Sequence, residues 1–197
     1  MLSNRALVKP DPPLLRTPSG STESDEQLME RFVQGEEQAF SELFARHAGR
    51  LQGALRRMVG AAADDVLQTT FLSIVRARGR YERGAPFRPW LYTVAVNAAR
   101  DHLRRHRREE PRAAGDLPDT PADPEPLPDP GLSRTVERAL AQLPEAQREA
   151  IVLHRFEGFS FKEIAELLGV TETAVKVRAH RGYQRLRVLL ASERESA

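Results

Sequence analysis

The side chains best suited to chemistry in this sequence are arginines, and they are concentrated in one block. Residues 76–108 hold ten basic and two acidic residues, a net charge of +8, whereas the whole chain of 197 residues has a net charge of only +2. At about 100° per residue, Trp90, Asn97 and Arg104 fall on one side of a helix. An aromatic ring, an amide and guanidinium groups on one face favour binding to unstacked bases and phosphates. Taken alone, the pattern also fits a core tryptophan followed by a solvated arginine tail.

A second set of candidate DNA-binding side chains lies near the C-terminal end. Ala165, Gly169 and Val175 have the spacing of a helix-turn-helix, in which a small residue lies at the helix crossing, glycine forms the turn and an apolar residue anchors the second helix. The sequence therefore predicts this motif over about residues 160–181, although an amphipathic pair of surface helices is the simpler alternative. Facing away from Val175, the second helix would present Thr173, Lys176, Val177, His180 and Gln184, with Arg178 and Arg181 beside them.

Patterns typical of catalysis or metal binding are missing from the sequence. It contains no cysteine, which excludes thiolate metal sites and cysteine nucleophiles. Asp64 and Asp65 are adjacent, so their carboxylates diverge by about 100° on a helix and make a poor metal pair. His102 and His106 are one turn apart, but the neighbouring arginines disfavour a cation. We therefore predict no catalytic residue, no metal site and no cofactor, and a protein that is not an enzyme.

The elements that must position these residues are predicted to be helices throughout. Residues 1–22 lack periodicity and are predicted to be disordered. Four helices are predicted over residues 23–108. The signals that bound them are a capping box at Ser24 and Gln27, breaks at Gly35 and Gly60, a cap at Asp64 or Asp65, a loop from Arg80 to Pro86 and a start near Phe87.

Residues 109–131 separate this part from a second helical part. They contain seven prolines and seven acidic residues, a composition that predicts a flexible, acidic, Pro-rich linker. Residues 132–192 then predict a helix from Leu132 to Leu143, another that begins at Pro144, and the helix-turn-helix. The fold class is therefore all-α, with two small helical domains. The apolar runs are too short to cross a membrane and cysteine is absent, so we predict no membrane insertion and a cytoplasmic location.

Three segments occur in an order that is specific to one family: DDVLQTTFLSIVR, FRPWLYTVAVNAARDHLRRHRR and LPEAQREAIVLHRFEGFSFKEIAELLGVTETAVKVRAHRGYQRLR. The first two resemble region 2, and the third resembles region 4, of the extracytoplasmic-function (ECF) sigma factors of the bacterial sigma-70 family. The resemblance covers about residues 24–192. It implies a four-helix region 2 over residues 23–108 and a helix-turn-helix region 4 over residues 132–192.

The resemblance also implies a function: binding core RNA polymerase and directing promoter-specific transcription initiation. Docking on the β′ clamp helices would use Asp64, Asp65, Gln68, Leu72 and Arg76. Melting and holding the minus-ten element would use Arg80, Arg83, Arg88, Trp90, Asn97, Arg100 and Arg104. Reading the minus-thirty-five element would use Thr171, Thr173, Lys176, Arg178, His180 and Arg181. Region 4 would also rest on the β flap, and an anti-sigma factor would be a further partner.

Two positions depart from the family pattern. Thr69 stands where an acid is usual, and Gly182 stands where alanine is common. We expect this glycine to loosen the recognition helix by about 1 kcal/mol at most. We also expect the acidic linker to attract the basic block, so that the two halves of the free chain stay close.

Two other functions stay open on the sequence alone. One is a stand-alone transcriptional regulator that combines the helix-turn-helix with an N-terminal sensor domain and binds DNA without polymerase. The other is a metal-dependent nuclease that uses Asp64 and Asp65.

Overall fold

A computed structural model of the chain describes residues 23–109 and 134–195, and every regular element in them is helical. The predicted all-α class is confirmed. The predicted disordered residues 1–22 and the predicted linker, apart from Glu109, lie outside the described residues. The α-helices are α1 (Asp25–Val33), α2 (Glu37–Val59), α3 (Ala63–Ala77), α4 (Phe87–Glu109), α5 (Arg134–Ala141), α6 (Glu145–Ile151), α7 (Phe161–Leu168) and α8 (Glu172–Glu195).

The first helical block, α1–α4, begins with the predicted capping box. The Ser24 hydroxyl accepts the Gln27 backbone N–H at 3.3 Å, and the Gln27 amide oxygen accepts the Ser24 N–H at 2.9 Å. Gly35 and Gly60 have φ values of 102° and 62° and follow the ends of α1 and α2. Both breaks are confirmed, because these left-handed conformations favour glycine.

The predicted cap of α3 is wrong. Ala62 occupies the N-cap position, and Asp64 and Asp65 both lie in the first turn. A carboxylate in the first turn is still favourable there because it faces the positive end of the helix dipole. Asp64 Oδ1 also accepts a hydrogen bond of 2.6 Å from Gln52 Nε2, which ties the start of α3 to α2.

The helical stretch Glu37–Arg80 contains an 18-residue window with a mean hydropathy of 1.2, enough for a membrane span by length and composition alone. The chain turns at Gly60, however, so that α2 and α3 pack against each other as separate helices. Their apolar faces bury Leu43, Leu55 and Ile74. The stretch therefore forms part of the core of a helical bundle.

The second helical block, α5–α8, differs slightly from its predicted boundaries. Its first helix runs from Arg134 to Ala141, and Pro144 occupies the N-cap of α6 instead of its first turn. After Ile151 the chain continues as a π-helical turn, Val152–Phe156, which leads into α7. Buried side chains of α5, α6, α8 and the turn between α5 and α6 meet in a small core: Ala139, Leu140, Leu143, Ile151 and Leu186.

Gly182 has a packing role that the sequence did not indicate. A Cβ atom at this position would lie 2.6 Å from Ile151 Cδ1 and 3.3 Å from Gln147 Cβ. The absence of a side chain therefore lets α8 approach α6 closely. The expected loosening of the recognition helix stays a prediction, and the contact with Ile151 adds a packing cost for any larger residue at this position.

The two helical blocks pack against each other. Helix α2 lies against α5, α6 and the π-helical turn, and α4 lies against α7. Buried apolar residues of both blocks, such as Val96, Leu153 and Phe159, belong to one continuous cluster. The expectation that the two halves stay close therefore agrees with the structure, and the residues that hold them together are described below.

Candidate nucleic-acid interface

Five predicted polymerase-docking residues form an exposed strip along α3, which we call the docking strip: Asp64, Asp65, Gln68, Leu72 and Arg76. The opposite side of the helix is buried through Val66 and Ile74. Leu72 is 48% exposed, which gives the strip an apolar centre between charged ends. The structure thus brings these residues together on one accessible surface.

Thr69, the position that departs from the family pattern, lies beside the docking strip. Its hydroxyl donates a hydrogen bond of 2.8 Å to the Asp65 carbonyl oxygen, within the same helix. A side chain bonded back to its own helix offers a partner a methyl group and a shared oxygen instead of a charge. The acidic character of the strip therefore rests on Asp64 and Asp65.

The loop before α4 is held in a fixed shape. Tyr81 is buried, donates its hydroxyl to the Ala85 carbonyl oxygen and packs edge-on against Trp90 with ring centroids 5.1 Å apart. Burial raises the pKa of Tyr81 to about 12, so the hydroxyl keeps its proton at neutral pH. Arg80 and Arg83 are exposed on the loop, and Arg83 Nε lies 3.0 Å from Glu30 Oε2 of α1.

Helix α1 also caps α4. Glu26 Oε1 accepts a hydrogen bond of 3.0 Å from the backbone N–H of Phe87, the first residue of α4. This hydrogen bond lowers the pKa of Glu26 and satisfies one of the backbone N–H groups that a helix leaves unpaired at its start. A glutamate from another helix thus supplies the acceptor that Pro86, the residue before α4, has no side-chain oxygen to provide.

The predicted minus-ten residues on α4 divide between two sides of the helix. Asn97 and Arg104 are exposed on one side, and Arg104 pairs with Asp101 at 2.8 Å. Trp90 is half-buried against the core, so its ring is only partly accessible. The other two, Arg88 and Arg100, point towards the second helical block. The structure therefore does not present the predicted set on a single accessible face.

Arg100 is held by Glu149 of α6. Its Nε and Nη2 atoms donate to the two carboxylate oxygens of Glu149, each at 2.7 Å. Glu149 is only 4% exposed. These charge-assisted hydrogen bonds raise the pKa of Arg100, and the two-pronged geometry is the one that guanidinium groups also adopt with phosphate.

Arg88 is held at Glu157, which lies just after the π-helical turn and is only 2% exposed. Arg88 donates to the carbonyl oxygen of Glu157, and the Tyr92 hydroxyl donates to its carboxylate. Arg50 of α2 reaches the same residue, with Nε 2.9 Å from Glu157 Oε2 and Nη2 3.1 Å from the carbonyl oxygen. Burial and the hydrogen bond to Glu157 raise the pKa of Tyr92, so the phenol remains a donor.

Aromatic rings complete the contact between the blocks. The guanidinium of Arg88 lies 4.3 Å from the centre of the Phe159 ring, and Tyr92 meets the same ring edge-on at 5.0 Å. Arg57 of α2 lies over Phe156 at 4.6 Å. Cation–π contacts of this kind add to the ion pairs when they are shielded from water.

The sequence analysis missed Glu149, Glu157, Arg50 and Tyr92. Glu149 carries the one available signal, since an acidic residue that directly precedes Ala150-Ile151-Val152-Leu153 on a core-facing helix needs a partner. Nothing near it in the sequence identifies that partner as Arg100. Glu157 lies between the π-helical turn and Gly158 and has no local signal.

The helix-turn-helix has the geometry that the sequence predicts. Ser160 and Glu163 form the capping box at the start of α7, and Gly169 follows its end at a φ of 65°. The Thr171 hydroxyl accepts the Ala174 N–H at 3.2 Å at the start of α8. Val175 and Ala179 of α8 are buried on the inner side of that helix.

The six predicted minus-thirty-five residues lie on the outer side of α8 and its first turn. We call them the reading face: Thr171, Thr173, Lys176, Arg178, His180 and Arg181. All are exposed except Arg178, which is half-buried. Lys176 Nζ lies 2.7 Å from Glu172 Oε1 of the same helix, an exposed pair that solvent weakens. The reading face is thus accessible along its length.

His102 and His106 line a shallow groove between α3 and α4, together with Asp65 and Thr69. Their ring centroids are 6.3 Å apart. Within residues 23–109 and 134–195, no group of three histidine or acidic residues is placed to hold a metal ion. The groove lies directly beside the docking strip.

Comparisons with known proteins agree with this arrangement. The family model described as Sigma-70 region 2 matches residues 43–109, and the model described as Sigma-70, region 4 matches residues 133–186. The RNA polymerase sigma factor CarQ of Myxococcus xanthus is 53% identical over 165 residues, which cover 82% of this chain and 95% of CarQ. The ECF RNA polymerase sigma factor SigM of Mycobacterium tuberculosis is 36% identical over 172 residues, covering 85% of each chain.

Solved structures show the same fold. CnrH, in complex with the cytosolic domain of CnrY, has a TM-score of 0.63 and 28% identity and covers 85% of this chain and 97% of its own. The sigma factor RpoE of Bartonella quintana, in complex with the anti-sigma factor NepR, has a TM-score of 0.67 and 26% identity and covers 77% and 96%. With both family regions present in order, the chain belongs to the ECF branch of the sigma-70 family, and it is a sigma factor for promoter-specific transcription initiation.

Proposed function

We propose that this sigma factor divides promoter recognition between its two helical blocks. The docking strip of α3 binds the β′ clamp helices of core RNA polymerase. Helix α4 and the loop before it melt and hold the minus-ten element, and the reading face enters the major groove of the minus-thirty-five element. The second block also rests on the β flap. The polymerase supplies the chemistry, and the sigma factor supplies the choice of promoter.

The observation that carries the proposal is that α8 has one buried apolar side and one exposed polar side. Val175 and Ala179 fix one side of the helix in the core, and the opposite side presents hydroxyl, imidazole and basic groups from its first turn onward. Short polar groups at the start of a recognition helix reach base edges, and basic groups beside them bind phosphates. Readout of a DNA duplex requires a helix whose exposed side carries such groups and whose other side is held in place by the core.

A protein partner that inhibits the factor is part of the proposal. Two structural relatives were solved in complex with another protein, and one of those partners is described as an anti-sigma factor. We infer that this chain is also controlled by an anti-sigma factor. Pull-down with a candidate inhibitor, followed by loss of transcription on its addition, tests this directly.

Run-off transcription with purified core polymerase tests the proposal as a whole. Linear genomic fragments are transcribed with and without the protein, and the start sites are mapped. We expect discrete start sites that share two upstream elements and appear only when both proteins are present. A gel shift on the same fragments is the control, since tight specific binding without polymerase would instead support a stand-alone regulator.

A further inference from the structure

We propose that Glu149 and Glu157 form a latch that closes the second helical block over the arginines of the first block. This inference rests on the proposed minus-ten role of Arg88 and Arg100. In the closed chain these two arginines are bound to glutamates instead of DNA, so the free sigma factor is inhibited in strand opening by its own second block. Promoter opening then requires the latch to separate.

The latch works by direct competition for the same donors. Arg100 uses Nε and Nη2 together on the Glu149 carboxylate, at 2.7 Å each. A guanidinium binds phosphate with this same edge, so Arg100 cannot hold Glu149 and a DNA phosphate by it at once. Arg88 is occupied in a second way, because it donates to the Glu157 carbonyl and lies over Phe159. Single-stranded DNA and the closed second block are therefore alternatives.

Burial makes these pairs more effective than ordinary surface ion pairs. Both glutamates are almost fully buried, and each is satisfied by donors from the first block. Salt screens such pairs weakly, and Phe159 and Phe156 also pack into the apolar cluster that spans both blocks, a contact that salt does not screen. The closed state therefore does not depend on attraction between the linker and the basic block.

A tether makes even a weak latch sufficient. Both blocks belong to one chain, so the contact between them is intramolecular and its effective concentration does not depend on the concentration of the protein. Docking on polymerase removes this advantage if the two blocks are bound at separate places. The latch can thus keep the free factor closed and still yield to the assembled polymerase and promoter.

The latch leaves the reading face uncovered. Thr173, Lys176 and Arg181 are exposed on the outer side of α8 in the same closed chain. Closure therefore affects the two DNA-binding activities unequally: single-stranded minus-ten binding is blocked, and duplex binding is not. This asymmetry separates the latch from a general loss of DNA affinity.

The first experiment opens the latch in the full-length chain. Glu149→Gln and Glu157→Gln are combined, and binding to a single-stranded minus-ten oligonucleotide and to a minus-thirty-five duplex is measured by fluorescence anisotropy. We expect the double variant to bind the single strand at least tenfold more tightly, with less than a twofold change for the duplex. Small-angle scattering of the same variant is expected to show a larger radius of gyration.

Glu36→Gln is the matched control for charge. Glu36 pairs with Arg31 at 2.7 Å on the exposed surface of the first block, apart from the residues of the latch, and Glu36→Gln also removes one negative charge. If Glu36→Gln enhances single-strand binding as much as a single latch variant does, the effect is one of net charge. If the double variant leaves both single-strand binding and the radius of gyration unchanged, the latch is refuted.

The second experiment locks the two blocks together, so it does not depend on whether substitutions open the latch. Arg107 and Glu145 form an exposed ion pair of 3.3 Å at the edge of the contact between α4 and α6. Because the sequence has no cysteine, Arg107→Cys with Glu145→Cys allows one cross-link by a short, reductant-cleavable bismaleimide. We expect the locked protein to bind minus-thirty-five duplex normally but to fail in promoter opening with polymerase, and reductant to restore opening.

Normal promoter opening by the locked protein would overturn the latch. The failure of the proposed function looks different, because the unmodified chain would then support no promoter-specific initiation at all. A locked chain that loses duplex binding as well would also contradict the asymmetry, since the reading face lies outside the closed contact.

Discussion

Two helices carry most of the residues proposed to bind the promoter, and these residues differ in how accessible they are on the two helices. On α4, Arg88 and Arg100 are held by buried glutamates of the other block, whereas on α8 the reading face is open to solvent. Both helices are rich in basic residues, so composition alone does not distinguish them. The difference shows that packing between the blocks sets which of these side chains are accessible, and under the proposed roles it should favour the minus-thirty-five element in the free chain.

The largest expected effect comes from reversing a charge on the docking strip. We expect Asp65→Arg to weaken binding to core polymerase by about a hundredfold, because a misplaced charge in an interface costs several kcal/mol. Duplex binding by the free chain should not change, since the reading face lies on another block. Fluorescence anisotropy with labelled protein measures both.

Glu37→Arg is the control for Asp65→Arg. Glu37 is exposed in the first turn of α2, so the variant makes the same change of charge away from the docking strip. Unaltered polymerase affinity in a folded Asp65→Arg protein would remove α3 from the interface. Polymerase docking and strand opening by α4 would then have to rely on different surfaces of the first block.

Local signals in the sequence account for much of the fold. The capping boxes at Ser24 and Ser160 and the breaks at Gly35 and Gly169 are decided by neighbours three or four residues away, and all appear in the structure. Such signals suffice to place the helices and the helix-turn-helix.

Contacts between distant parts of the chain were not predictable in the same way. Glu149 and Arg100 are 49 residues apart in the sequence, and Glu157 and Arg50 are 107 apart. Which charges meet depends on how two already folded blocks fit together, a property that no local pattern records. The expected attraction between the linker and the basic block involves residues outside the described ranges and stays a prediction, whereas Glu149 and Glu157 of the second block hold arginines of the first block in the described structure.

The second prediction tests how α8 is positioned. We expect Gly182→Ala to lower the free energy of unfolding by about 1–3 kcal/mol, because the added methyl would lie 2.6 Å from Ile151 Cδ1. Alanine at a helix position without this clash would instead stabilise the protein by up to about 1 kcal/mol. Urea denaturation therefore distinguishes the two cases by the sign of the change.

Ile151→Val provides the matched partner for Gly182→Ala. Valine lacks the Cδ1 atom that the new methyl would meet, so the double variant should lose less stability than the sum of the two single variants. Strict additivity would show that the close approach of α8 to α6 is not what requires glycine at this position.

A third prediction compares α4 with α8 directly. Arg181→Ala should weaken minus-thirty-five duplex binding and, if Arg181 binds a phosphate, reduce the salt slope of the binding constant by about one. Asn97→Ala should leave duplex binding unchanged and impair strand opening, because loss of a good bidentate hydrogen bond to a base costs about 1–3 kcal/mol. Permanganate footprinting of the polymerase complex measures opening.

The two substitutions serve as controls for each other. Each changes an exposed side chain on a different block, so a loss of folding would affect both assays equally. Normal permanganate reactivity with Asn97→Ala, or weak opening with unaltered duplex binding in Arg181→Ala, would contradict the proposed division between α4 and α8.

The smallest expected effect concerns how α4 and α7 begin. Glu163 caps its own helix through Ser160, whereas Glu26 caps α4 from a different helix through Phe87. Hydrogen bonds lower the pKa of both carboxyl groups in the folded protein. The stabilisation is therefore present above the unfolded pKa of about 4.5 and is lost as the pH falls through the lower folded values.

Removing the Glu26 cap should reveal how far α4 depends on α1. We expect Glu26→Ala to destabilise the protein by about 1 kcal/mol and to increase hydrogen exchange at the Phe87 amide, with little change near Ser160. Glu26→Gln keeps a neutral acceptor, so it should retain part of the protection and lose its dependence on pH between the two pKa values. Because the loop that carries Arg80 and Arg83 leads directly into Phe87, Glu26→Ala should also impair strand opening more than duplex binding. Unchanged exchange at Phe87 in Glu26→Ala would show that α4 holds its first turn without α1.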